Sequence, residues 1–227
     1  YCGKDNLRQQ SAMWQAMLLA AKIPPSKQII VNGFVTGEGG IKMSKSLGNT
    51  VDPLEVVKEY GTDALRYFVC RELHPFEDSP FTMEKFKDAY NAHLANGLGN
   101  LVSRVMKMAE ANRITLDQSI KEKIKDSDEL KAFTRKYEGG FENFNLQESA
   151  NAVWEFISNT DRIVQERQPF KKIKIDKAGG ENDIKELLAR LNIIGNLLLP
   201  IMTETAAKII DLTENNQMPK EPLFMRK

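Results

Sequence analysis

The stretch that decides the reading is residues 29–49, IIVNGFVTGEGGIKMSKSLGN. It opens as a β-branched run, Ile29-Ile30-Val31 and then Phe34-Val35, the composition of a short buried strand. Gly37, Gly39 and Gly40 follow and free the backbone for positive φ. Lys42 and Lys45 come next, three residues apart, each with a serine close behind, Ser44 and Ser46. Ammonium groups on flexible stems suit a phosphate that moves during a reaction, and the hydroxyls add donors. The loop therefore reads as a clamp on a polyphosphate, although the same composition suits a solvated hairpin loop. Other phosphate loops do not fit. A Walker loop needs glycine directly before Lys-Ser/Thr, and Ile41 and Met43 spoil that; a dinucleotide fingerprint from Gly37 would need glycine where Lys42 stands.

Upstream, Leu7 to Ala21 carries Met13, Trp14, Met17 and Leu18 at helical spacing, and Pro24-Pro25 ends it. Helix, strand and glycine-rich loop in that order predict a parallel α/β arrangement with its ligand at the strands' carboxyl ends. Asp5, just before the helix, suits an N-cap and equally a hydroxyl acceptor. Downstream, Asp52-Pro53-Leu54-Glu55 is a helix start, Gly61 closes that helix, and Thr62 is expected to cap the next. Residues 74–81, HPFEDSPF, read as a linker.

From Thr82 onward the periodicity is helical. The first helix is expected from Met83 to Ala111, with Leu94, Leu98, Leu101, Val105 and Met108 as one apolar stripe. Further helices are expected over Ser127–Phe141, Glu148–Glu166, Asp183–Leu199 and Ile201–Leu212, forming an antiparallel bundle, with MPKEPLFMRK a loose extension. The fold class is thus mostly α: a partial Rossmann-type α/β nucleotide-binding segment (1–50), a helical connector (51–81) and a helical bundle (82–227).

Composition narrows the function. With 41% hydrophobic and 28% charged residues in 227, the chain is globular rather than disordered, and no apolar run has the length of a membrane span. A net charge of +1 confines any nucleic-acid contact to local patches. Cys2 and Cys70 have no metal-ligand spacing and read as reduced cytosolic thiols; with His74 and His93 the only histidines, no zinc site is expected. On the long helix Asn100 and Arg104 lie four apart and share a face about 100° from the apolar stripe. Amides and guanidinium planes read splayed single-stranded RNA bases; such a pair also suits a solvated face.

Lys42-Met43-Ser44-Lys45-Ser46 followed by LGN resembles the second signature of class I aminoacyl-tRNA synthetases. The resemblance implies that Lys42 and Lys45 stabilise charge on the phosphates of ATP, with Mg2+, as an amino-acid carboxylate attacks. Residues 3–5, GKD, resemble the segment that meets the ATP ribose, which implies roles for Gly3 and Asp5; DALRYF at 63–68 resembles the family's docking helix, with Arg66 an expected ion-pair partner. YNAHLANGLGNLVSR at 90–104 is similar to the first anticodon-domain helix of methionyl-tRNA synthetases, which implies that Asn100 and Arg104 contact a CAU anticodon. In RQPF, Phe170 stands where that family commonly has a tryptophan stacked on the first anticodon base; a core plug at a helix end is the other reading. Lys171, Lys172 and Lys174 would then neutralise stem phosphates.

The methionine pocket is implied at Asn6, Gln10 and Trp14, where Asn6 and Gln10 depart from the family's usual apolar residue and histidine, as Asn32 departs from a histidine. The resemblance covers essentially the whole chain and implies a cytoplasmic methionine–tRNA ligase acting on ATP, methionine and tRNA(Met). Because the chain opens at Tyr1 and lacks the HIGH signature, it is expected to be a C-terminal piece that does not activate an amino acid alone, any zinc lying in the part not present. Its residues 1–40 should be the weakest, with a sheet edge to cover. The alternatives are another class I synthetase, for isoleucine, valine, leucine or cysteine, or a stand-alone tRNA-binding helical module.

Overall fold

The computed structural model describes residues 1–44 and 48–227. β1 (Cys2–Gly3) runs parallel to β2 (Val31–Asn32), with Cys2 opposite Val31 and Gly3 opposite Asn32. Between them lie a 3-10 turn (Lys4–Asn6), a wide π turn (Gln9–Met13) and α1 (Trp14–Ala20). β3 (Val35–Thr36) pairs, also in parallel, with β4 (Ser79–Pro80). The single strand expected over 29–35 is therefore two. The Gly33 N–H turns to the Pro75 carbonyl at 3.2 Å and the Phe34 N–H to Asp78 Oδ1 at 2.7 Å, so the backbone changes partner midway. The expected linker 74–81 is corrected by the same contacts, because Ser79–Pro80 supplies the second partner. The helical spacing expected over Leu7–Ala21 falls on this stretch, but Leu7, Met13, Trp14, Met17 and Leu19 are all exposed.

α2 (Pro53–Tyr60) starts as expected, with Asp52 accepting the Leu54 N–H at 2.8 Å. α3 (Thr62–Arg71) takes Thr62 into the helix rather than at its cap. α4 (Met83–Ala89), π turns over Tyr90–Gly99 and α5 (Asn100–Ala111) form one rod with the expected ends. Its stripe is the core: Leu94, Leu98, Leu101 and Val105 are fully buried and Met108 nearly so. α6 (Gln118–Asp126) was not expected, since QSIKEKIKD offers only Ile120 and Ile124 as anchors and Ile124 alone is buried.

α7 (Asp128–Glu142), α8 (Leu146–Arg167), the short α9 (Pro169–Lys172), α10 (Lys177–Leu198) and α11 (Thr203–Asn215) complete the bundle. α10 begins before the expected Asp183, because Asp176 accepts the Gly179 N–H at 2.9 Å and carries both glycines inside the helix. It is buried on all sides from Leu187 to Gly195 and packs against α5, α6, α8, α9 and α11, as an axial helix must. Among the described residues no helix is long and apolar enough to cross a membrane.

The connector and the bundle are joined by two charged side chains of α3. Asp63 is buried and accepts the Thr205 N–H at 2.6 Å, capping α11, whose own N-cap residue Met202 offers no side-chain bond. Arg66 donates to the carbonyls of Ile201 and Pro200, each at 2.7 Å. Its expected carboxylate partner is replaced by carbonyls that the break between α10 and α11 leaves free. The tail is not loose. Leu223 and Phe224 pack against the core, the Tyr90 hydroxyl donates to the Met225 carbonyl at 2.9 Å, and Asn91 bonds both the N–H and the C=O of Lys227.

Asp63→Ala removes a buried, charge-assisted cap and should lower unfolding stability by about 1–3 kcal/mol. Urea denaturation followed by circular dichroism checks this; an unchanged midpoint would show that the cap contributes nothing.

Candidate functional site

The expected clamp is a hairpin whose geometry follows from its glycines. Thr36 and Lys42 form an antiparallel bridge, and the Gly37 N–H donates to the Ile41 carbonyl at 2.7 Å. The reversal is made at Gly39 and Gly40, with φ of 65° and 77°, the left-handed region that glycine enters without cost; Gly37 stays at −81°. Asn49, of the LGN word, fastens the far side: its Oδ1 accepts the Ser44 N–H at 2.9 Å and its Nδ2 reaches the Lys42 carbonyl at 3.4 Å. Met43 packs partly buried on the core. Lys45 and Ser46 lie outside the described residues.

Lys42 is brought to the GKD segment. Its Nζ sits 4.8 Å from the centre of the Phe34 ring, and the Nζ of Lys4 sits 5.0 Å from the same ring. Two ammonium groups thus lie over one aromatic ring, whose quadrupole attracts cations. Lys4 is held by Asp78 at 2.5 Å. That bond, and next the Phe34 N–H, keep the Asp78 carboxyl below the usual carboxylate range. The sequence signal for this meeting, an aromatic two residues before the hairpin, is too common to single out.

Gly3 lies in β1 against Asn32, and Asp5 follows in the 3-10 turn, exposed, with its Oδ1 accepting from Asn6 Nδ2 at 3.3 Å. Asp5 caps no helix, because Gly3 holds that position and makes no side-chain bond. Asn6, Gln10 and Trp14 are exposed along the turns that lead into α1.

The second site lies on the bundle. Asn100 is exposed at the start of α5, and Arg104, one turn on, is half-buried. Arg104 Nη1 pairs with Asp161 Oδ1 on α8 at 2.8 Å, and Asp161 Oδ2 also accepts from Gln165 Nε2 at 2.5 Å. Sequence reasoning missed Asp161, which ties the α5 flank to α8. Beside the pair runs a groove of about 230 Å³ between the π turns and α8, lined by His93, Gly97, Trp154, Asp161, Arg162 and Gln165 among others. Burial, and then the nearby Arg71 charge, hold the His93 imidazole below its ordinary range.

At the end of α8, Pro169 is buried and Phe170 is 46% exposed, so the proline fills the core and the ring faces out. Lys171 reaches to 5.9 Å from that ring. Of the three lysines expected to meet phosphates, Lys172 is already paired, with Asp183 at 2.7 Å, whereas Lys171 and Lys174 are exposed.

Asn49→Ala should leave the bundle intact and raise the exchange rate of the Ser44 amide several-fold, up to about tenfold for a bond of roughly 1 kcal/mol. Amide hydrogen exchange reads this directly, and unchanged protection would show that Asn49 does not brace the hairpin.

The family model described as tRNA synthetases class I (M) matches residues 1–106. Methionine–tRNA ligases of Listeria innocua and of Arabidopsis thaliana (chloroplastic/mitochondrial) are each 33% identical, over 94% and 85% of this chain and 34% and 32% of their own length. The chain thus spans about a third of the length of these relatives. The Mycobacterium tuberculosis methionyl-tRNA synthetase bound by methionyl-adenylate superposes with a TM-score of 0.80 at 27% identity, covering 93% of this chain and 43% of that one. Over nearly its whole length the chain is thus similar to methionyl-tRNA synthetases, and its residues 1–106 match the class I synthetase family.

Proposed function

We propose that this chain is the part of a methionine–tRNA ligase that clamps the phosphates of ATP and reads the CAU anticodon of tRNA(Met). The parent enzyme would join methionine to ATP, release pyrophosphate and pass the methionyl group to tRNA. What carries the reading is the tie of the Asn100 and Arg104 flank to α8 through Asp161, with an exposed ring, Phe170, on the turn where α8 ends, in a chain of almost no net charge. Field attraction alone would select no RNA here, so recognition falls to these few groups.

Lys42 and Lys45 would act as electrostatic donors toward the phosphates and not as bases. Lys42, parked over Phe34, is held by a weak contact that a phosphate outcompetes. Gly3 and Asp5 would meet the ribose, with Met43, Ser44 and Ser46 completing the clamp. Asn6, Gln10 and Trp14 would lie toward methionine. Mg2+ would accompany ATP, and the enzyme would work in the cytoplasm. The chain would divide at residues 50 and 81 into the clamp segment, a connector and the anticodon-binding bundle.

Binding of the 227-residue chain to a CAU stem-loop, beside one with a changed anticodon base at one fixed salt concentration, tests the reader. A preference of about tenfold, roughly 1.4 kcal/mol, should disappear in Asn100→Ala and in Arg104→Ala. Equal, weak binding to both would leave only phosphate attraction. In the full-length enzyme, Lys42→Ala should slow adenylate formation by about a hundredfold or more and leave anticodon affinity unchanged. A wild-type pyrophosphate-exchange rate would sink the clamp.

A further inference from the structure

The turn that presents Phe170 is held in an unusual way. α8 ends at Arg167, and Gln168 then takes φ 44° and ψ 56°, a left-handed conformation at a residue that is not glycine. Such a conformation persists where the surroundings fix it. Here the surroundings converge on one carboxylate of α10. Asp183 is 4% exposed; its Oδ1 accepts from Arg167 Nη1 at 3.3 Å and its Oδ2 from Lys172 Nζ at 2.7 Å. The two cations stand immediately before Gln168 and at the last residue of α9, so a single buried side chain grips both ends of the segment that carries Phe170.

The grip is backed on both sides. Arg167 also pairs with Glu186 at 2.6 Å, Glu186 with Arg190 at 3.2 Å, and Arg190 with Glu129 of α7 at 2.6 Å. Where α9 ends, Ile173 lies so close to Gly180 that a Cβ there would strike its backbone. A buried carboxylate must keep its partners, because leaving the charge unpaired is far more costly than losing a surface pair. The turn therefore has little backbone freedom at the place where it carries Phe170.

We propose that Asp183 is a positioning residue for RNA recognition: by clasping Arg167 and Lys172 it fixes the turn that presents Phe170 for base stacking. The proposal rests on the anticodon reading of Phe170 given above. Ordering a stacking group in advance lowers the entropy lost on binding, so loosening it weakens binding without touching any contact to RNA.

Two measurements on the 227-residue chain test this. Without RNA, Asp183→Asn, which keeps the side-chain volume, should raise amide exchange over residues 170–175 by about tenfold and leave 184–198 unchanged. Lys172→Met, which removes one arm and keeps Arg167 on the carboxylate, should give a smaller rise in the same residues. With a CAU stem-loop, Asp183→Asn and Phe170→Ala should each lower affinity by about tenfold, and the double variant should bind no worse than Phe170→Ala alone. Unchanged exchange over 170–175 overturns the clasp. Losses that multiply in the double variant overturn it too, since Asp183 would then act elsewhere than through Phe170. If Phe170→Ala binds the stem-loop like the parent chain, the anticodon reading falls and the exchange result alone judges the clasp.

Discussion

The connector is fixed to the bundle at one short helix face, where Asp63 and Arg66 of α3 hold the break between α10 and α11. A helix ending at one residue and another starting a few later leaves carbonyls pointing one way and N–H groups the other. α3 answers both with opposite charges three residues apart, the carboxylate on the N–H side and the guanidinium on the carbonyl side. The charges therefore complement the two helix ends as the macrodipoles require. Around this joint the aromatic rings of Tyr60, Phe68, Phe81, Phe86 and Tyr90 pack edge to face or tilted, except Phe81 and Phe86, which stack. Polar fixing and apolar filling thus act at the same place, and the connector is not a free linker.

The parts of the fold that the sequence made legible are those in which local preference and burial agree. The rod from Met83 to Ala111, the buried stripe on it, the Asp52 cap and the parallel sense of the strands all have strong short-range signals. α6 escaped because a helix anchored by one buried isoleucine has almost no periodic pattern. The strand break at Gly33-Phe34 and the pairing of Ser79–Pro80 escaped because their partners lie more than forty residues away. The tail escaped for the same reason, since nothing in MPKEPLFMRK announces a partner on the first helix of the bundle.

For the site, residue identity came from the words KMSKS, GKD and NLxxR, while their supports came only from the coordinates. Asn49 bracing the hairpin, Phe34 between Lys4 and Lys42, and Asp161 on Arg104 are all contacts of common residue types at unremarkable spacings. Lysines illustrate the gap well. Lys171, Lys172 and Lys174 are indistinguishable in a sequence, yet the buried Asp183 removes one of them from the pool available to a polyanion. Counting charges would overstate that patch by the ones already neutralised.

The reciprocal bonds between Asn91 and Lys227 span 136 residues, nearly the whole helical part of the chain. Contacts of such separation carry a large loop-closure cost and reward the chain only after the intervening helices are in place. The tail's seat, made by Tyr60, Tyr90 and Asn91, does not exist as a surface until α2 and the long rod have met. Its docking therefore needs an assembled bundle to close on, and the apolar side of Phe224 is covered only by elements that have already met.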